Sequence, residues 1–294
     1  MSIDKVAVLG GGLMGSGIAE AVAVAGLPVV VRDVDAVAVD AVSKRLDASL
    51  HHATRRGKFD TAEAEEIRER IVLTTELADV AGADLVIEAV PENAELKAAI
   101  LGQISGIVSD RALIASNTSS IPIAQLAAGV QRPERVLGLH FFSPVPVMAL
   151  IEIVVALDTS AETVATAGEF AETIGKKPIV TKDRSGFIVN MLLVPYLMAA
   201  VRMYEEGFAT REAIDEGMKL GCGHPMGPLT LSDFIGLDVL FAIGDSLYEE
   251  FKQTEYAPPP LLKRMVASGR IGRKANRGFY EYRREAAPAP VQAG

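Results

Sequence analysis

The stretch VAVLGGGLMGSGIAE, near the start of the 294-residue chain, constrains the fold more than any other. Gly10, Gly12 and Gly15 have the spacing G-x-G-x-x-G, directly after an apolar run and at the start of a helical pattern. In a βαβ unit these glycines make the tight turn, let the backbone approach a pyrophosphate and let the helix pack on the strand. The free N–H groups of the helix start, at Leu13 and Met14, favour an anion. The stretch therefore predicts a dinucleotide-binding unit.

A carboxylate at the end of the second apolar run supports the same prediction. Asp33 is placed to accept the adenine ribose hydroxyls and to repel a 2′-phosphate, which favours NAD over NADP. Arg32 lies beside it and would tolerate that phosphate, so NADP use stays open.

Apolar runs alternate with amphipathic helical patterns in the first part of the chain, which is typical of βαβ units. The runs are 5–10, 28–33, 71–74, 85–90, 112–117, 136–141, 150–157 and 177–182. After DRSGF (183–187) only helical patterns follow. We predict an α/β fold, in which a Rossmann-type, doubly wound, mostly parallel sheet domain precedes an all-helical C-terminal domain. The predicted bounds are 1–184 for the NAD-binding domain, 185–283 for the helical domain and 284–294 for a disordered tail.

The helical part contains four patterns. The first, roughly 186–206, includes Pro195 as a predicted kink, and Thr210 is a plausible N-cap of the second. The third, TLSDFIGLDVLFAIGDSLYEEF, predicts one continuous helical stretch, and PLLKRMVASGR follows it.

Composition excludes several function classes. The net charge of −9 argues against a nucleic-acid surface, which needs a concentrated positive field. The longest apolar window, IVNMLLVPYLMAAV, is shorter than the ~20 residues that a bilayer needs. The single cysteine, Cys222, rules out an internal disulfide and fits a reducing compartment. We expect a cytoplasmic protein that has no metal site and binds neither nucleic acid nor membrane.

A glutamate inside an apolar strand needs an explanation. Glu152 interrupts ALIEIVVAL, and a buried carboxylate must protonate or find a partner. His140 ends the preceding run, and the SPVPV turn could fold the next strand back beside it. Such a pair fixes the imidazole tautomer and leaves the other nitrogen to exchange a proton with a substrate. From these residues alone, a core histidine and a chance inward glutamate remain an equal alternative.

Five ordered motifs resemble the short-chain 3-hydroxyacyl-CoA dehydrogenase family. They are VAVLGGGLMGSGIA, SNTSSIPI, HFFSPVPVMALIEIV, DRSGFIVNMLL and HPMGPLTLSDFIGLDV, and the similarity runs from about residue 3 to Tyr282. Within the family the chain is most similar to bacterial 3-hydroxybutyryl-CoA dehydrogenases. The resemblance implies reversible NAD-dependent oxidation of an (S)-3-hydroxyacyl-CoA, expected to be 3-hydroxybutyryl-CoA, and a homodimer formed through the helical domain.

The resemblance also implies catalytic roles. His140 would be the general base, Glu152 would orient it, Ser119 would hydrogen-bond the substrate oxygen and Asn190 would hold the substrate carbonyl. Without the resemblance, a local turn is the favoured interpretation of Ser119, and helix capping that of Asn190.

Further positions match cofactor and CoA contacts of the family. The cofactor positions are Glu92, Lys97, Ser119, Ser143 and Lys274. Ser143 stands where the family commonly has Asn, and the late GRKTG pattern reads GRKAN, which we expect to alter NAD affinity at most. Ser49 and Arg56 match CoA contacts, although the cations Arg55, Arg56 and Lys58 could simply complement a helix C-terminus.

Two other functions stay open at this stage. One is an NAD-dependent dehydrogenase of a hydroxy or sugar acid that lacks CoA. The other is a non-catalytic, crystallin-like NAD-binding protein.

Overall fold

The structure of the protein is a computed structural model that describes residues 2–282. The predicted disordered tail, 284–294, lies outside the described residues. The chain divides into two compact units, the first ending at Phe187 and the second beginning at Ile188, whereas the sequence suggested a boundary at residue 184.

Eight strands form one sheet in the first unit, and every strand overlaps a predicted apolar run. They are β1 (Val6–Leu9), β2 (Val29–Arg32), β3 (Ile71–Thr74), β4 (Leu85–Glu88), β5 (Leu113–Ser116), β6 (Val136–Phe141), β7 (Leu150–Val155) and β8 (Lys177–Lys182). The sheet order is β3-β2-β1-β4-β5-β6-β7-β8, and every neighbouring pair is parallel except β6 with β7. The order reverses at β1, which is where sheets of this kind bind ligands at the carboxyl ends of the strands.

Helices cover both faces of this sheet. They are α1 (Leu13–Val24), α2 (Ala36–Arg55), α3 (Thr61–Glu69), α4 (Ala94–Ser105), α5 (Ile123–Ala127) and α6 (Ala161–Thr173), with short 3-10 helices at Leu77–Val80 and Pro133–Arg135. One buried apolar cluster lies under α1, α2, α3 and α6, and a second lies under α4 and α5. Because both faces are covered, the central strands are continuous apolar runs. The predicted Rossmann-type, mostly parallel sheet is confirmed.

The second unit is helical, as predicted. Its helices are α7 (Val189–Glu205), α8 (Arg211–Cys222), α9 (Pro228–Ile235), α10 (Leu237–Phe251) and α11 (Pro260–Ala267), followed by a 3-10 helix at Arg273–Ala275. Thr210 is the N-cap of α8, because its side chain accepts a hydrogen bond from the Ala213 N–H. The stretch TLSDFIGLDVLFAIGDSLYEEF, predicted as one helical pattern, forms two helices, because Gly236 has a φ of +103° and ends α9. Across residues 2–282, no helix has the length and apolar character needed to cross a membrane.

Candidate active site

In the glycine loop after β1, packing requires two of the three motif glycines but not the third. A Cβ on Gly10 would lie 2.8 Å from the Ala89 carbonyl oxygen, and one on Gly15 would lie 1.8 Å from the Gly10 oxygen. A Cβ on Gly12 would meet nothing within 4 Å. Packing therefore explains Gly10 and Gly15, whereas glycine at position 12 keeps a stretch of backbone open. This open backbone fits the close approach of a pyrophosphate.

The start of α1 adds anion-binding groups to this loop. The helix has no side-chain cap at Gly12, so the N–H groups of its first turn, which begins at Leu13 and Met14, lack a capping acceptor. Ser16 Oγ and Arg45 Nη1 both donate to the Gly11 carbonyl, at 2.7 and 3.0 Å. Arg45 thus brings a positive charge against the loop. No spacing in the sequence marks this residue, which lies in the amphipathic pattern of α2.

Asp33 and Arg32 point to different partners. The Asp33 carboxylate accepts hydrogen bonds from the Gly11 N–H (2.8 Å) and the Val34 N–H (2.7 Å), which places it beside the glycine loop. Arg32 Nε donates to the Thr75 carbonyl at 3.1 Å. The acidic group therefore lies at the loop, while the neighbouring guanidinium is bonded to the segment after β3. Together with the open Gly12, this arrangement fits an NAD molecule.

The antiparallel pairing of β6 and β7 places His140 opposite Glu152. The turn that contains SPVPV reverses the chain, and the two side chains meet with His140 Nδ1 2.6 Å from Glu152 Oε2. Glu152 is fully buried and His140 is 6% exposed. A carboxylate acceptor at Nδ1 fixes the tautomer that carries its proton on Nδ1, so Nε2 keeps a lone pair. The proximity that the sequence suggested is present.

Aromatic and amide groups hold His140 in place. Its ring centroid lies 4.5 Å from that of Phe142 and 5.3 Å from that of Phe187. Asn117 Oδ1 accepts a hydrogen bond from the Phe141 N–H at 2.9 Å, which ties the end of β5 to the strand that carries the histidine. These contacts restrict the imidazole to one orientation.

Ser119 and Glu92 form a second cluster. Glu92 Oε1 accepts from the Ser119 N–H (2.9 Å), from Ser119 Oγ (3.2 Å) and from Thr118 Oγ1 (2.6 Å). Burial alone would raise the pKa of Glu92, but the charge of Lys97 and the hydrogen bonds from Thr118 and Ser119 outweigh it and lower the pKa below its usual value. Glu92 is therefore an anion that anchors the loop after β5.

Lys97 is a buried residue of this cluster. Its side chain is 1% exposed, and its Nζ lies 2.7 Å from Glu88 Oε1, 3.1 Å from the Val90 carbonyl and 3.3 Å from Glu92 Oε2. Glu88 is a further residue of this cluster, and it was not predicted from the sequence. The signal that could have found it is the one used for Glu152, a carboxylate inside an apolar run.

The remaining predicted residues occupy several places. Ser143 is exposed just after β6. Asn190, in the second unit, is 8% exposed in the first turn of α7. Lys274 of the same unit forms an ion pair of 2.6 Å with Asp238. Among the described residues, no group of His, Cys, Asp and Glu side chains is placed to hold a metal ion.

The predicted CoA residues lie at the end of α2. Arg56 caps the helix and is exposed, and Lys58 lies 3.5 Å from the Pro146 carbonyl in the SPVPV turn. Ser49 hydrogen-bonds Glu20, a buried residue of α1. Burial raises the pKa of Glu20, and the Ser49 hydrogen bond and the charge of Lys58 only partly offset this effect. The end of α2 therefore combines exposed cations with a nearby buried acid.

Comparison with known proteins places this geometry in a family. Residues 5–184 match the NAD binding domain of 3-hydroxyacyl-CoA dehydrogenase, and residues 186–282 match its C-terminal domain. A 3-hydroxybutyryl-CoA dehydrogenase from Mycobacterium tuberculosis is 48% identical over 283 residues, which cover 96% of this chain and 99% of that protein. The chain belongs to the 3-hydroxyacyl-CoA dehydrogenase family. The dehydrogenase is accordingly an NAD-dependent oxidoreductase, and NAD is its cofactor.

Solved structures extend the comparison for the dehydrogenase. An (S)-3-hydroxybutyryl-CoA dehydrogenase from Ralstonia eutropha is 46% identical, with a TM-score of 0.90 over 96% of this chain and 100% of that one. A more distant structure, a 5-formyl-3-hydroxy-2-methylpyridine 4-carboxylic acid 5-dehydrogenase, is 31% identical, with a TM-score of 0.75 over 96% of this chain and 92% of that one.

The sheet explains how the first unit of the dehydrogenase gathers its polar residues. Gly10, Asp33, Glu92 and Ser119 follow the carboxyl ends of four parallel strands, which meet at one edge of a sheet. Ser119, Glu92 and Lys97 are in contact, and His140 and Glu152 form a separate pair. Ser49 and Arg56 belong to a third group at the far end of α2.

Proposed function

We propose that the protein reversibly oxidises (S)-3-hydroxybutyryl-CoA to acetoacetyl-CoA with NAD, using His140 as the general base and Glu152 as its positioning partner. The observation that carries this proposal is the 2.6 Å contact between His140 Nδ1 and Glu152 Oε2 across the antiparallel strands. A dehydrogenase needs a base next to the substrate hydroxyl, and this pair supplies one whose tautomer is fixed.

The chemistry divides between cofactor and protein. When NAD is bound, its nicotinamide supplies the acceptor for the hydride that leaves C3 of the substrate. His140 takes the hydroxyl proton at Nε2, and the C3–O bond becomes a carbonyl. The buried Glu152 stabilises the positive charge that develops on the ring, while the Nδ1 proton stays shared between them. In the reverse direction the same nitrogen returns the proton.

Other residues would bind and orient the reactants. The residues that would hold NAD are Gly10, Gly12, Leu13, Met14, Gly15, Asp33, Glu92, Lys97, Ser119, Ser143 and Lys274. Ser119 would hydrogen-bond the substrate oxygen, Asn190 would hold the thioester carbonyl, and Ser49 and Arg56 would contact CoA. Asp33 at the glycine loop and the bond of Arg32 to Thr75 support NAD over NADP.

A short acyl chain is proposed from the relatives. Both the Mycobacterium tuberculosis and the Ralstonia eutropha proteins are named for 3-hydroxybutyryl-CoA, and this chain covers 99% or more of each. The 31% identical relative is named for a pyridine carboxylic acid, which keeps a substrate without CoA as the second candidate.

We further propose that the second unit mediates a homodimer. Large apolar side chains on its surface support this, among them Leu192, Phe208 and Leu220, which are 72%, 79% and 82% exposed. An interface between two copies would remove such apolar side chains from water. Sedimentation equilibrium tests the proposal, and a monomer at micromolar concentration contradicts it.

The proposed reaction is tested by initial rates of NADH oxidation with acetoacetyl-CoA, with free acetoacetate and with a longer 3-oxoacyl-CoA. We expect turnover with acetoacetyl-CoA, much slower turnover with the longer chain and none with the free acid. Equal rates with the free acid would favour the candidate without CoA. The same assay with NADPH tests the cofactor preference.

A further inference from the structure

The first unit contains a buried ion pair between Lys97 and Glu88, a carboxylate that has no role in the proposed reaction. Glu88, the last residue of β4, is fully buried, and Lys97 in α4 is 1% exposed. The Glu88 carboxylate accepts from Lys97 Nζ at 2.7 Å, from the Val90 N–H at 2.6 Å and from Ser116 Oγ at 2.6 Å. Both oxygens are thus bonded, and the carboxylate connects β4, α4 and β5.

The pair leads to the proposed site through one more carboxylate. Lys97 Nζ also lies 3.3 Å from Glu92 Oε2, while Glu92 Oε1 receives the N–H and the hydroxyl of Ser119. A chain of contacts therefore runs from Glu88 through Lys97 and Glu92 to Ser119. Glu88, at its buried end, has no surface through which to touch a ligand itself.

Stability alone gives no reason for this arrangement. Removing two charges from water costs about as much as their attraction returns, so an apolar pair of the same volume is often as stable. What the charges add is direction, because an ammonium held by Glu88 and the Val90 carbonyl can bring Glu92 Oε2 to only one place. Among the described residues, Glu88 and Glu92 are the charged groups in contact with Lys97.

We propose that Glu88 is a positioning residue of the cofactor and substrate pocket: it fixes Lys97, which fixes Glu92, and Glu92 holds Ser119 in its binding position. The inference rests on the proposed function, in which Glu92 and Ser119 contact NAD and substrate. Glu88 itself touches neither.

A double-mutant cycle tests whether Glu88 acts through Lys97. The variants are Glu88→Gln, Lys97→Met and the double variant. The readouts are the Tm and the Kd for NADH, which is measured from the fluorescence of bound NADH. We expect each single change to weaken NADH binding by about tenfold and the double change to weaken it by the same tenfold, because the effect of Glu88 passes through Lys97. The Tm should fall in both single variants and recover in the double variant, which buries no unbalanced charge.

Three results would overturn the proposal. An unchanged NADH Kd in Glu88→Gln, despite a lower Tm, would make the residue structural only. A double variant that binds NADH about a hundredfold more weakly than wild type would make the two residues independent. A return of the Kd to the wild-type value together with the Tm would mean that binding merely follows stability. If Glu88→Gln does not fold, Glu88→Asp, which keeps the charge but shortens the reach, takes its place in the cycle.

Asp215→Asn is the matched control. Asp215 is a buried carboxylate of the second unit that accepts the Leu229 and Thr230 N–H groups, so its loss should lower the Tm and leave the NADH Kd within twofold. The wild-type assay with acetoacetyl-CoA separates the two proposals. If wild type binds NADH without turning over acetoacetyl-CoA, the proposed reaction fails while the cycle on NADH binding still decides the role of Glu88.

Discussion

At His140, one hydrogen bond determines which ring nitrogen is available for chemistry. Glu152 occupies Nδ1, and the two phenylalanine rings beside the imidazole limit its rotation. His140→Gln keeps a donor for Glu152 but cannot take a proton at neutral pH. We expect turnover to fall by about 10²- to 10⁴-fold and the NADH Kd to stay within twofold. Steady-state rates and an NADH titration measure the two effects.

The exposed His51 provides the control for this prediction. His51→Gln should match wild type in both rate and NADH affinity. A His140→Gln variant that loses NADH binding as fully as turnover would show a structural role for the histidine instead.

Glu92 gives a prediction about acid stability. Its pKa is lowered in the folded state, where the opposing effect of burial is outweighed by Lys97 and the Thr118 and Ser119 hydrogen bonds. A depressed folded pKa means that the ionised group contributes stability above its unfolded pKa, near 4.5, and that this contribution is lost as the pH falls through the folded pKa. Glu92→Gln should therefore be less stable than wild type at neutral pH and equally stable in strong acid.

Thermal unfolding between neutral and strongly acidic pH measures this difference. Because 39% of the Glu92 side chain is exposed, solvent screening keeps the expected Tm difference to a few degrees. The exposed Glu95→Gln should follow wild type throughout. A Glu92→Gln deficit that persists unchanged in strong acid would assign the effect to packing rather than to charge.

At the scale of elements, two glycines in the turn from β1 into α1 allow the effects on stability and on NADH binding to be tested separately. Gly12→Ala adds a methyl group where no atom lies within 4 Å, so the Tm should stay within a few degrees while NADH binding weakens at least tenfold. Gly15→Ala forces a Cβ to within 1.8 Å of the Gly10 oxygen and should lower the Tm sharply. Unchanged NADH binding in Gly12→Ala would place the pyrophosphate elsewhere.

Local patterns predicted the elements because each strand is an apolar run bounded by turn residues. The SPVPV turn even indicated the reversal that pairs β6 with β7. The prediction of a single helix beginning at TLSDF was wrong. Apolar periodicity continues across Gly236, and only the positive φ of this glycine reveals the break. A glycine inside an amphipathic pattern is compatible with both outcomes.

The contacts of the buried network of Glu88, Lys97 and Glu92 could not be predicted from the sequence. Lys97 stands in a helical pattern, where a lysine is normally exposed, and its burial depends on Glu88 from a strand and on Glu92 from a loop. Arg45 likewise reaches the glycine loop only because α2 packs beside α1. Such contacts depend on tertiary packing, which no local period encodes.

At the scale of the whole molecule, a protein of net charge −9 must bind an anionic CoA ester. The exposed cations at the end of α2, Arg55, Arg56 and Lys58, offer a local positive field against this background. A local field of this kind raises the concentration of an anionic substrate near its site. It should act on binding rather than on the chemical step.

Arg56→Glu tests this separation. We expect the KM for acetoacetyl-CoA to rise about five- to tenfold at low salt, with the turnover number within twofold. The reason is that the substitution removes an attraction to CoA that is equally strong in the ground state and in the transition state, while the catalytic groups stay in place. High salt should reduce the difference, since exposed charges are screened. Lys263→Glu makes the same change in net charge at an exposed position of α11 and should leave the KM nearly unchanged. An equal rise in both variants would attribute the effect to total charge and remove Arg56 from the CoA site.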